Sequence, residues 1–178
     1  MATAWDYIAI VIFIVFSAFF SGSEIAYASV NELRLKKAAE AENGNKLAKL
    51  AYSIYSNYDD ALITILIGNN LVNIASSSVA TVIAIDIMGD KGTWVATAIM
   101  TVIILTFGEI VPKIIAVQTA FNFTQIASIP LKVLMIITFP IVWVIQRVLK
   151  ALDKLIKKED EELSLIHISE PTRPISIS

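Results

Sequence analysis

Long apolar runs, broken by short polar ones, set the pattern of this chain. Tyr7 to Val30, Ala61 to Met88 and Thr93 to about Val117 are each long enough for a helix to cross a bilayer, which takes about 20 residues. Asn31 to Asp60, between the first two, reads as two short helices joined by a turn at Asn43-Gly44-Asn45. It carries Arg34, Lys36, Lys37, Lys46 and Lys49 among Glu32, Glu40 and Glu42. Gly89-Asp90-Lys91-Gly92 is a tight turn between the second and third runs. Ile126 to Leu149 is apolar enough to pass for a fourth span, yet it holds Pro130, Lys132 and Pro140. A crossing there would leave Arg147, Lys150, Lys154, Lys157 and Lys158 outside, against the tendency of basic residues to stay in the cytoplasm. Pro130 and Pro140 are expected to interrupt the helix ladder and give a bent belt lying partly in the membrane plane. A true fourth crossing is the alternative. The predicted fold class is therefore an all-α membrane protein with three transmembrane helices, a cytoplasmic helical hairpin and a juxtamembrane re-entrant or belt helix. The N-terminus is expected outside and the C-terminus in the cytoplasm.

Composition supports a bilayer as the solvent. Hydrophobic residues make up 56% of the chain and charged ones 17%, with mean hydropathy +0.71, outside the range of ordinary soluble domains. Trp5, Tyr7 and Trp94 suit membrane interfaces. The first run is no signal peptide, because no basic residue precedes it and Ser21-Gly22-Ser23-Glu24 interrupts its far half. The formal net charge of -2, with basic residues confined to membrane flanks, argues against a nucleic-acid partner. Without cysteine there is neither a disulfide nor a thiolate metal site. We read residues 1–158 as the transmembrane domain and 159–178 as a tail. Within the tail, the stretch from Leu163 to Arg173 resembles the conceptual translation of a sequencing-library adapter. It is set aside with His167, and the natural chain is expected to continue beyond it.

The candidate chemistry lies inside the apolar runs. Gly68-Asn69-Asn70-Leu71-Val72-Asn73 places three carboxamides at membrane depth, where each unpartnered amide costs roughly 2–7 kcal/mol. Asn69 and Asn73, four residues apart, share a helix face, and Asn70 points partly aside. They could equally be helix-to-helix glue. Glu109 is an ionisable group within a span, which is functional by default. Pro112 has no N–H to donate to the Gly108 carbonyl, so a freed carbonyl sits beside the carboxylate. The plainer alternative is a kink at Pro112 and a Glu109–Lys113 pair. Ser21 and Ser23 add hydroxyls on the first helix, with Gly22 allowing a neighbour to approach. If these groups converge, every ligand is a hard oxygen, which suits Mg²⁺ or Na⁺ and disfavours zinc or copper. A single carboxylate among them implies weak retention, as transport requires.

Phe19-Phe20-Ser21-Gly22-Ser23-Glu24, Gly68-Asn69-Asn70-Leu71-Val72-Asn73-Ile74 and Gly108-Glu109-Ile110-Val111-Pro112-Lys113 together resemble the transmembrane domain of the CorC/CNNM family of magnesium transporters. The likeness runs from about Ala9 to Lys158. It implies a homodimer in the lipid bilayer of the cell membrane, exporting Mg²⁺ against Na⁺ entry. By motif position, the Mg²⁺ ligands would fall on Ser21, Asn69, Asn73, the Gly108 carbonyl and Glu109, with Ser23, Glu24, Asn70, Pro112 and Lys113 as second-tier candidates. The family's paired CBS modules are missing from this sequence, which fits a truncated gene, so ATP regulation cannot be claimed for it. Tyr58 stands where a proline is often found, which bears on where the second helix starts. Small residues at Ser76, Ser77, Ser78 and Ala80 suggest a close-packed dimer face. Two other functions would use the same residues: a Mg²⁺-binding sensor subunit, or a structural anchor. A proton in place of Na⁺ is also open, because Glu109 could titrate. No nucleophile-base pair points to an enzyme.

Overall fold

A capping box starts the first helix, with the Thr3 N–H donating to Asp6 Oδ2 at 2.7 Å. The computed structural model describes residues 3–41 and 45–168, with side chains as far as 152. Helix α1 (Ala4–Ser29) is followed by α2 (Glu32–Glu40) and α3 (Lys46–Tyr55), which pack on each other. Each short helix is capped by an asparagine: Asn31 Oδ1 accepts from the Arg34 N–H, and Asn45 Oδ1 from the Leu47 N–H. The remainder of the expected Asn43-Gly44-Asn45 turn lies outside the described residues. Leu35 and Ala51 close this helical pair against Val30 and Ala120, and the Arg34 guanidinium stacks over the Phe121 ring at 4.1 Å.

Helix α4 (Tyr58–Met88) begins at Tyr58 itself and ends at Gly89, whose φ of 66° is open to glycine and strained for other residues. One short 3₁₀ turn, Gly89–Lys91, reverses the chain into α5 (Gly92–Ile103). The helix then widens to π geometry over Ile104–Ile110 and resumes as α6 (Val111–Gln118). Ala80, Met100 and Ile104 hold the two arms of this hairpin together. Of the small residues expected at a dimer face, Ser76 and Ala80 are buried within the chain, Ser76 Oγ without a hydrogen-bond partner, and Ser78 on the same helix is exposed.

In helix α7 (Ala120–Ile168) the interruption expected at the two prolines is absent. The helix runs through Pro130 and Pro140 without a break. Each proline removes one backbone hydrogen bond, and the bonds on either side carry the helix past that gap. Three helical stretches are long and apolar enough to cross a membrane: 4–29, 58–118 with its internal reversal, and 120–152. The chain is thus a multi-pass membrane protein, all-helical and without strands among the described residues. Residues 169–178 of the tail lie outside the described ones, and so does the His167 side chain.

The described residues form two units, one ending at Thr138 and one beginning at Phe139. In the first, Phe20, Tyr27, Ile54, Ala61, Ile65 and Leu131 make the main core, where α1, α3, α4 and α7 meet. Tyr27 carries a hydroxyl into it and donates to the Thr124 carbonyl at 3.1 Å. In the second, Trp143 is exposed and the Arg147 guanidinium lies 4.8 Å from its ring centroid.

Candidate cation site

The π turns place Gly108 and Glu109. At their end the Val111 N–H reaches the Thr106 carbonyl, five residues back, and Pro112 one position later has no N–H to offer Gly108. The helix here is widened and not unwound. The group that meets the Gly108 carbonyl is the Ser17 hydroxyl of α1, at 3.4 Å. The same Ser17 Oγ lies 3.1 Å from Asn69 Oδ1 of α4. One hydroxyl proton is therefore shared between two carbonyl-type acceptors, and three oxygens from three separate helical segments crowd together at membrane depth. Gly108 must be glycine for this contact, because a Cβ there would stand 2.7 Å from Ser17 Oγ.

One turn along α4 from Asn69, Asn73 Nδ2 donates to Glu109 Oε1 at 3.3 Å. Its own Oδ1 is buried without a partner, as is Ser21 Oγ, one turn along α1 from Ser17. Buried, unpartnered oxygens are costly and call for an explanation. Adjacent oxygens in an octahedral Mg²⁺ shell lie about 2.9 Å apart, given bonds of about 2.0–2.1 Å. The Ser17 separations are a few tenths of an ångström wider, with a proton bridging them. Among the described residues no three His, Cys, Asp or Glu side chains cluster, so a cation here would be held by neutral oxygens and one acid. A shallow groove of about 370 Å³, lined by Asn70, Asn73, Ile74, Ser77, Ser78 and Thr81, runs along α4 and meets the site at Asn73.

The family model of the cyclin M transmembrane N-terminal domain, CNNM, matches residues 8–172. The chain belongs to the CNNM family. A UPF0053 protein of Haemophilus influenzae is 38% identical over 95% of this chain and 40% of its own length. The UPF0053 inner membrane protein YfjD of Escherichia coli is 35% identical, covering 76% of the chain and 31% of that protein. A DUF21 domain-containing chloroplastic protein of Arabidopsis thaliana is 36% identical over 70% of the chain and 19% of itself. The chain therefore spans less than half the length of these relatives.

Within this CNNM domain the expected residues divide. Asn69 and the Gly108 carbonyl meet around Ser17, and Asn73 meets Glu109. Ser21 is buried on the same side of α1 as Ser17 and makes no hydrogen bond to the others. Ser23 is satisfied by its own helix, donating to the Phe19 carbonyl at 2.7 Å. Asn70 is exposed and donates to the Leu66 carbonyl at 2.9 Å. Pro112 borders an apolar cavity of about 540 Å³ together with Phe19, Phe123 and Pro130. Lys113 pairs with Glu24 at 3.1 Å, not with Glu109. Ser17 was missed by sequence reasoning, and its signal was modest: a lone hydroxyl in an apolar run, four residues before Ser21 and on the same face.

Proposed function

We propose that this CNNM domain moves Mg²⁺ across the membrane, exporting it in exchange for entering Na⁺, as a homodimer with its N-terminus outside. The observation that carries this reading is the convergence of Ser17, Asn69 and the Gly108 carbonyl, beside Asn73 and Glu109. These are hard, mostly neutral oxygens drawn from separate helical segments. A set with one carboxylate binds a divalent ion loosely enough to release it, and oxygens on separate segments can part when those segments move. The shallow α4 groove borders the cluster at Asn73.

The test is flux in reconstituted vesicles with a Mg²⁺-sensitive dye inside. Mg²⁺ movement that needs an opposing Na⁺ gradient, and is lost in Glu109→Ala and Asn73→Ala, is the expected result. A pH gradient that substitutes for Na⁺ would replace the sodium coupling with proton coupling. Mg²⁺ binding without flux would make the domain a sensor. Absence of any Mg²⁺-dependent stabilisation would leave only an anchor and overturn the proposal.

A further inference from the structure

Lys113 lies one helical turn beyond Glu109, the spacing at which a glutamate and a following lysine pair readily on a helix. In the structure the lysine turns elsewhere. Its ammonium sits 3.1 Å from Glu24 Oε2, across the contact between α1 and α6, while Glu109 Oε1 accepts from Asn73. Both members of the Glu24–Lys113 pair are partly shielded, with side chains 26% and 37% exposed, so their attraction is screened less than on an open surface. A lysine ammonium is a compact charge on a flexible stem. Tethered one turn from Glu109, it is present at high effective concentration and would compete with any free cation for that carboxylate.

We infer that Glu24 is a positioning residue: it holds the Lys113 charge away from Glu109 and so leaves that carboxylate free to take a cation. This rests on the reading of Glu109 as a cation ligand. A plain clamp between α1 and α6 makes the opposite prediction for the double substitution. If the pair only fastened two helices, losing both members would be no better than losing one. If Glu24 restrains Lys113, neutralising the lysine should rescue the loss of the glutamate.

The experiment measures the Mg²⁺-dependent rise in Tm of the full chain in lipid nanodiscs, with MgCl₂ as the only divalent salt. Wild type, E24Q, K113Q and E24Q/K113Q are compared, and each Tm without Mg²⁺ reports the fold. The expected result is that E24Q needs about tenfold more Mg²⁺ for the same rise, while the double variant returns to within about threefold of wild type. The E24Q deficit should persist in about 0.5 M choline chloride, where distant charges are screened and contacting ones are not. A double variant as weak as E24Q would overturn the inference. So would a deficit that disappears in choline chloride, which would make Glu24 a remote charge only. Wild type with no Mg²⁺-dependent rise would instead sink the cation reading beneath it, before any substitution is compared.

Discussion

Two neighbouring stretches of the same helices are put to opposite uses. In the half of α1 and α4 around Phe20, Tyr27, Ala61 and Ile65, apolar side chains close against Leu131 of α7. Most polar groups there, Ser21 excepted, are satisfied: Tyr27 reaches the Thr124 carbonyl, Ser23 the Phe19 carbonyl, and the Thr64 hydroxyl bonds to the Asp60 carbonyl and lies 3.0 Å from the Thr138 hydroxyl. One or two turns away, around Ser17, Asn69 and Asn73, the same two helices carry a shared proton and buried oxygens without partners. A span built for stability alone would extend the first arrangement. Leaving the second incompletely satisfied costs free energy that a bound cation would return, so under the proposed function the contrast separates where the domain is held together from where it would take its ion.

The largest expected effect falls on the second region. Glu109→Gln removes the one acid of the cluster, and we expect a loss of about a hundredfold in Mg²⁺ affinity, about 2.7 kcal/mol. The Tm of the Mg²⁺-free protein should hold or rise, because a partly buried charge has been removed. A fall in that Tm with unchanged Mg²⁺ response would erase the contrast. Next in size, Leu131→Ala opens a void in the apolar half. It should lower unfolding stability by about 2 kcal/mol, near the low end for such truncations because lipid-embedded helices gain little from apolar transfer. Mg²⁺ titrations of the folded protein check that its affinity moves by less than about threefold.

Much of this division was legible before the fold. The apolar runs gave α1, α4 and the third crossing to within three residues at each end, because length and polarity decide what lipid accepts. The spacing of Asn69 and Asn73 gave a shared face, the acid within a span singled out Glu109, and the missing Pro112 N–H pointed to the Gly108 carbonyl. What could not be read was the axial offset between helices. Whether Ser17 or Ser21 meets Asn69 depends on a slide of one turn between α1 and α4, and periodicity is blind to such a slide. The choice of Glu24 over Glu109 as the partner of Lys113 has the same origin: local spacing favours one, and the docking of α6 on α1 favours the other. At Pro130 and Pro140 the local rule was stronger than its consequence, since one missing bond does not end a helix whose other bonds remain.

The third effect tests the close approach on which the cluster depends. Gly108→Ala puts a methyl group where Ser17 Oγ stands at 2.7 Å, so the hydroxyl must leave either Asn69 or the Gly108 carbonyl. Mg²⁺ affinity should fall about tenfold, read in the same titration. Adding Ser17→Ala to make room should recover the packing but not the affinity, since it deletes the oxygen itself.

The smallest effects are the sharpest check on the boundary between the two regions, because Ser23 and Asn70 sit in the sequence motifs yet bond to their own helices. Each donates to the carbonyl four residues back, Phe19 and Leu66 respectively. Such a bond duplicates one the backbone already makes, so its loss leaves no orphaned acceptor. Ser23→Ala and Asn70→Ala should each change unfolding stability by no more than about 0.5 kcal/mol and leave the Mg²⁺ titration where it was. A tenfold loss of affinity in Asn70→Ala would mean that the cation site extends along the α4 groove, and the boundary drawn at Asn73 would have to move outward.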